Sequence, residues 1–184
     1  LSETGIKQAE KLACLPRFKN IDEIVTSNWK RSQQTAETMA QFLNKPCKAL
    51  GDICERQQST KIYGLSRADP IAEEYTRDLI KNRNNWNYKW DFEEESYMEV
   101  LKRAKDFREY LIQNFSQKSV AVFSHETFIR CLITACILGE DQGELCFKKL
   151  FSSMALQNTG ISLLIYREEA KIWKMWYLND YGHL

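Results

Sequence analysis

Apolar residues recur at two periods along this chain, and their alternation predicts its elements. Ile6, Ala9, Leu12 and Ala13 fall near the helical period of 3.6 behind Ser2, a good N-cap, which predicts a first helix. Residues 21–26 read as a short strand that runs straight into Ser27-Asn28 and a helix over 29–43. Ala36, Met39, Ala40 and Leu43 share one face of that helix. A weaker signal marks a brief strand over 48–53. Further on, Ser96 and Glu99 form a capping box, and Val100, Leu101, Ala104, Phe107, Leu111, Ile112 and Phe115 follow at helical spacing. Arg108 is the charge that interrupts this stripe. The run Val120-Ala121-Val122-Phe123 has the continuous apolar character of a central strand buried on both faces. It ends at Ser124-His125, and a helix starts at once, expected to bury Phe128, Ile129, Leu132, Ile133, Cys136 and Ile137. Residues 161–166 and 171–177 predict a hairpin around Arg167-Glu168-Glu169-Ala170.

Helix and strand thus alternate, which predicts an α/β fold: a three-layer α/β/α sandwich around a mainly parallel central sheet. A length of 184 residues and a hydrophobic fraction of 43% fit a single domain with a continuous core. Residues 56–91 differ in texture. They are polar, carry Pro70 and an asparagine-rich tract, and set Trp86, Tyr88 and Trp90 among polar neighbours. This stretch is expected to be a partly helical, cap-like insertion over one edge of the sheet, with its aromatics exposed. The chain opens with Leu1-Ser2-Glu3-Thr4-Gly5, already helical in character and without Met, so an upstream piece is expected to be missing.

Charge narrows the partners. With 26 basic and 25 acidic side chains the net charge is +1, too small a field to gather nucleic acid or an anionic membrane surface. No apolar run approaches the roughly 20 residues that span a bilayer, and no secretory signal is visible. The six cysteines show no CxxC pair, and with two histidines they offer no zinc-ligand spacing. They read as reduced, mostly buried thiols of a cytoplasmic protein, with a disulfide framework as the other reading. No metal and no cofactor is implied, and the sequence carries no code for oligomeric state.

Two strand-to-helix junctions hold the candidate chemistry. In open α/β sheets ligands bind beyond the carboxyl ends of the strands. The first junction, Thr26-Ser27-Asn28-Trp29-Lys30-Arg31, sets Arg31 in the first turn of a helix; the second, Ser124-His125-Glu126-Thr127, sets His125 at another helix N-terminus. Free N–H groups and a partial positive charge favour an anion at both ends, and an arginine adds a donor fork matched to phosphate. The plainer readings are an Arg31 that sits in solvent and a His125 satisfied in the core. Trp86, Tyr88 and Trp90 are open between packing and substrate contact, and His183 is expected to be peripheral.

In order along the chain, these segments resemble the histidine phosphatase superfamily. Leu1-Ser2-Glu3-Thr4-Gly5 is similar to its Leu-Thr/Ser-x-x-Gly element, and Ser27 to Ala36 to its Ser, Arg, Gln-Thr-Ala signature. Ile53-Cys54-Glu55-Arg56 resembles the Leu-x-Glu segment, and Glu95, Ser96, Glu99 and Arg103 the Glu-Ser-x-x-Glu-x-x-x-Arg helix start. Phe123 to Arg130 resembles the second-histidine motif, and Leu178-Asn179-Asp180 with His183-Leu184 the usual ending. The resemblance implies a phosphoglycerate mutase-like fold and hydrolysis of a small phosphorylated substrate through a phosphohistidine. It makes Arg31 a phosphate-binding arginine, His125 the second histidine and Glu55 the general acid/base, with Glu126 as the competing acid/base. The family's Arg-His-Gly strand, which supplies the nucleophile, is absent, Glu126-Thr127 replaces the common Gly-Gly, and Gln57-Gln58-Ser59 follows Glu55 in place of a glycine turn. The leading expectation is therefore a phosphomonoester hydrolase whose nucleophile lies upstream of Leu1, this fragment alone being inactive and poorly stable. A mutase is less favoured, being longer. The alternative is a catalytically dead binding module that recognises a phosphorylated ligand or protein through Arg31 and His125, with the aromatic insertion as its contact surface.

Overall fold

The computed structural model describes residues 1–139 and 144–184. Its first helix, α1 (Glu3–Ala13), starts where Ser2 Oγ accepts the Gly5 N–H at 3.2 Å. β1 (Glu23–Ser27) leads into α2 (Lys30–Leu43), which ends at Asn44 in the left-handed conformation. β2 (Cys47–Leu50) is shorter than its sequence signal, because residues Gly51–Ile53 tighten into a 3-10 turn. α3 (Pro70–Lys81) is capped by Asp69 and lies within the polar stretch, and α4 (Tyr97–Asn114) carries the complete capping box of Ser96 and Glu99. β3 (Val120–Phe123), α5 (Glu126–Leu138), α6 (Glu144–Ser152) and the hairpin β4 (Ile161–Arg167) and β5 (Ile172–Asp180) complete the order.

The three parallel strands lie in the order β2-β1-β3, with Ile24 beside Ala121 on one side and Cys47 on the other. Strand alternation then sorts the core into two halves. Ile24 and Ala121 pack with Leu12 and Ala13 of α1 and Ala36, Met39 and Ala40 of α2. Val25 faces the other way, onto Val100, Leu101, Ala104 and Phe107 of α4 and Phe128, Cys131 and Ala135 of α5. Helices therefore cover both faces of a parallel sheet. β4 and β5 form a separate antiparallel pair, with Leu163 opposite Tyr177 and Arg167 opposite Ile172.

Several expectations are corrected. β1, not β3, is flanked on both sides, and Val122 and Phe123 are only half-buried. α5 buries Phe128, Ile133 and Cys136 as its pattern suggests, together with Cys131, Thr134 and Ala135, while Ile129 and Leu132 are half-buried and Ile137 is exposed. α5 packs against α4, α6 and β5, and its Cys131 and Ala135 share a core cluster with Val100, Leu101, Ala104 and Phe107 of α4. Arg108 is buried despite its charge, because Nη1 donates to the Ala135 carbonyl at 2.8 Å while Nε and Nη2 hold Glu109. Trp86, expected to be exposed, is 4% accessible and meets Phe151 edge to face at 5.2 Å. Tyr88 and Trp90 are half-buried, Trp90 against Tyr75 at 5.5 Å. All six cysteines are unpaired, but only Cys131 and Cys136 are buried, so "mostly buried" does not hold. Among the described residues no helix is long and apolar enough to cross a membrane.

Candidate active site

The two junctions are locked together beneath the surface by hydroxyl groups. The Thr26 hydroxyl lies 2.9 Å from Ser32 Oγ, and the Ser32 hydroxyl donates to the Phe123 carbonyl at 2.9 Å. One small network therefore fixes the ends of β1 and β3 to the first turn of α2. Arg31, next to Ser32, is exposed, and its guanidinium lies over the Trp29 ring at 4.5 Å.

His125 occupies the N-cap position of α5, its carbonyl accepting the Ile129 N–H at 2.8 Å. Its ring is 5% exposed, with Nε2 2.7 Å from Ser27 Oγ and the Trp29 ring at 5.0 Å. Ser27 Oγ also receives the Trp29 N–H at 3.3 Å, so one hydroxyl joins the His125 ring to the start of α2. Burial pushes His125 down to about 4, the Arg31 charge acts in the same direction, and Glu55 opposes both. The imidazole is therefore neutral near pH 7.

Glu55 reaches the same place from the loop after β2. Its Oε1 accepts the Arg56 N–H at 2.9 Å, and its Oε2 lies 3.4 Å from the Thr127 N–H in the first turn of α5, where the helix end favours a carboxylate. The loop is held from three sides. Ser124 Oγ donates to the Ile53 carbonyl at 2.6 Å, Cys54 Sγ donates to Asn28 Oδ1 at 2.7 Å, and Arg103 donates to the Cys54 carbonyl at 3.3 Å and to the Asp52 carbonyl. Arg103 is itself fixed by a two-pronged pair with Glu95 at 2.6 and 2.7 Å.

These residues meet at a cleft of about 700 Å³. Trp29, Arg31, Glu55 and Thr127 form one wall; Arg56, Gln57, Gln58, Tyr63, Leu79 and Tyr97 form the other. The structure thus brings Arg31 and Glu55 together, with His125 just behind Trp29 rather than on the cleft wall. Glu126 stands apart from the cleft, turned to solvent, with Oε1 3.3 Å from Arg130 Nη1. His183 is remote, Nε2 lying 3.1 Å from Thr159 Oγ1.

Sequence reasoning missed several participants. Ser27 sits in the first junction with the residue type of a helix cap, yet Trp29 takes the N-cap position of α2 and the Ser27 hydroxyl meets His125. Ser32 carried no signal beyond its place in the signature. Arg56, Tyr75 and Glu94 form a buried polar unit: Arg56 Nη2 donates to Tyr75 Oη at 3.0 Å, and Tyr75 donates to Glu94 Oε1 at 2.6 Å. The Arg56–Glu94 ion pair spans 3.7 Å, and burial, helped by Glu94, pushes the Tyr75 phenol well above its usual range. Only Glu95 and Arg103 of this neighbourhood were legible, through their spacing.

The arrangement suits a tetrahedral anion: one guanidinium, one helix N-terminus, one imidazole and a carboxylate within proton-transfer reach of the same cleft. Solved structures share the whole frame. A mycobacterial glucosyl-3-phosphoglycerate phosphatase with inorganic phosphate superposes with a TM-score of 0.82 at 17% identity, covering 100% of this chain and 89% of that one. A putative alpha-ribazole-5'-P phosphatase from Escherichia coli gives 0.77 at 19% identity, over 98% and 86%. These likenesses show the fold, that of α/β phosphatases. An uncharacterized phosphatase, PhoE, of Bacillus subtilis is 25% identical over 185 residues, 99% of this chain and 81% of the relative. The model of the histidine phosphatase superfamily (branch 1) matches residues 1–179, and the chain belongs to that superfamily. Phosphatase is the class of enzyme this membership defines.

Proposed function

We propose that this protein hydrolyses small phosphomonoesters through a phosphohistidine, on a histidine carried by a strand upstream of Leu1. The observation that carries the reading is the convergence of Arg31, Glu55 and the α5 N-terminus on one cleft, with His125 directly behind. The sheet edges support the upstream strand. Among the described residues β3 is paired only on its β1 side, and β4 only with β5, while Phe123 and Ile161 pack against the same core cluster. A strand between them would satisfy both rows of backbone groups. Its carboxyl end would lie beside those of β1 and β3.

In the proposed reaction the histidine nitrogen attacks phosphorus as the ester P–O bond breaks. Glu55 gives its proton to the departing alkoxide oxygen. The Glu55 carboxylate then takes a proton from water, whose oxygen attacks phosphorus; the P–N bond breaks and inorganic phosphate leaves. Arg31 and the N–H groups at the start of α5 hold the phosphoryl oxygens where charge develops, with His125, the second histidine, behind them. Glu55 is the better acid/base than Glu126, since it lines the cleft while Glu126 is engaged by Arg130. None of these steps calls for a metal or cofactor. Residues 56–91 act as the cap, and six unpaired thiols fit a reducing, cytoplasmic setting.

The test is phosphate release from p-nitrophenyl phosphate by the full-length protein, with rapid trapping of the labelled phosphoenzyme. Release together with an acid-labile, base-stable phosphoryl group supports the reading. A coding sequence without an upstream histidine, or substrate bound but never turned over, overturns it in favour of the binding module.

A further inference from the structure

The cap-side wall of the cleft has a character of its own. Gln57 Nε2 donates to Tyr63 Oη at 2.9 Å and to the Gln58 backbone carbonyl at 3.1 Å, so a side-chain amide, a peptide carbonyl and a phenol form one connected rim. Leu79 and the Tyr97 ring complete it. Among the described residues the cation of this wall is Arg56, and its charge is already committed. Arg56 is 5% exposed, sits 3.7 Å from Glu94, and donates to Tyr75 Oη at 3.0 Å and to the Glu95 carbonyl at 2.9 Å. The Tyr97 ring lies 5.1 Å beneath its guanidinium. Beyond Arg31 and the Glu55 carboxylate, the lining therefore presents neutral amide, phenol and ring surfaces to the alcohol half of an ester.

We infer that this cleft selects monophosphates of an uncharged, hydroxyl-bearing alcohol of the sugar type, and disfavours substrates with a second anionic group. The inference rests on the phosphatase reading above. A second phosphate or a carboxylate would shed water against amides and a phenol with no counter-charge, which is costly. Hydroxyl groups match the same amides and phenol as both donors and acceptors, and the C–H face of a sugar ring suits an aromatic side chain. The volume, about 700 Å³, has room for a monosaccharide phosphate.

The experiment compares kcat/KM of the full-length protein on glucose 6-phosphate, fructose 1,6-bisphosphate and phosphoserine, with p-nitrophenyl phosphate as the general reporter. Calorimetry measures binding of the same three metabolites. The expected result is a preference of roughly ten-fold or more for glucose 6-phosphate in both measurements. Gln58→Lys, which adds a cation to the rim, should narrow that gap by raising activity on the bisphosphate. Tyr63→Phe, which removes a hydroxyl from the rim, should raise KM for glucose 6-phosphate by a larger factor than KM for p-nitrophenyl phosphate. Equal or better use of the bisphosphate or phosphoserine by the unmodified protein overturns the inference even where p-nitrophenyl phosphate is hydrolysed. If p-nitrophenyl phosphate is not hydrolysed at all, the catalytic reading fails, and the calorimetric order still decides the preference.

Discussion

The two walls of the cleft are held by different forces. On the strand-end side, Thr26, Ser27 and Ser32 are buried neutral hydroxyls on regular elements, each a short step from strand to helix. On the cap side, residues 56–95 contain one long helix, α3, and are tied down mainly by charged partners. These are Arg56 with Glu94, Arg103 with Glu95, and Lys61 with Asp91 at 3.4 Å. Neutral hydrogen bonds on a packed sheet contribute modestly, and losing one is tolerable. Buried charges behave otherwise, because removing one partner strands the other without solvent. The strand-end wall is thus held by neutral hydrogen bonds between regular elements, whereas the other wall leans on a buried ion pair, Arg56 with Glu94.

Four experiments can break or sharpen this contrast. Glu55→Gln should lower kcat by about 10²–10⁴ while leaving the folded state in place. Glu126→Gln should stay within a few-fold of the parent. The reverse ranking in a phosphate-release assay would move the acid/base role to Glu126.

Next in size, Glu94→Ala should destabilise the fold by about 3–5 kcal/mol, because Arg56 is left buried without its counter-charge. Replacing both members, Arg56→Met with Glu94→Leu, should recover much of that loss in denaturant unfolding. A loss in the double variant equal to that of Glu94→Ala would show that the pair acts through packing rather than charge.

The third test concerns acid. His125 is pushed from the ordinary 6.5 down to about 4 in the folded protein, first by burial and then by Arg31. The unfolded chain therefore binds a proton that the folded one refuses, and the contribution is complete above pH 6.5 and fades as pH falls towards 4. His125→Gln should flatten this part of the stability-pH curve. Parallel curves for the two proteins would place the acid sensitivity elsewhere. Smallest of all, Ser96→Ala removes a cap at the cap-to-core hinge and should cost about 1 kcal/mol of stability with little change in KM. A larger rise in KM than in stability loss would mean that the start of α4 positions Tyr97 in the cleft.

What was legible in the sequence follows this division. The capping box of α4 is a local device, and both its bonds are present, Glu99 N–H to Ser96 Oγ at 3.2 Å and Ser96 N–H to Glu99 Oε2 at 2.7 Å. The junctions carrying Arg31 and His125 were legible for the same reason, each being a strand, a turn and a helix within a few residues. Glu55 stood out through its motif, but its approach to the Thr127 N–H depends on the loop held by Arg103 and Ser124. The cap was read as polar and aromatic, yet the burial of Trp86 is decided by Phe151 and Tyr97, and no local pattern encodes such a meeting.

By itself, the chain order of apolar periods and caps determined the alternation of helix and strand, the two strand-to-helix junctions that carry Arg31 and His125, and the family. Those properties depend on neighbours within one or two helical turns, where backbone geometry makes spacing equivalent to position. Tertiary structure alone decided that Glu55 and not Glu126 faces the cleft, that Ser27 serves His125, and that the Arg56 charge is cancelled by Glu94. Each of these is a long-range pairing of polar groups, chosen by which side chains burial leaves without water.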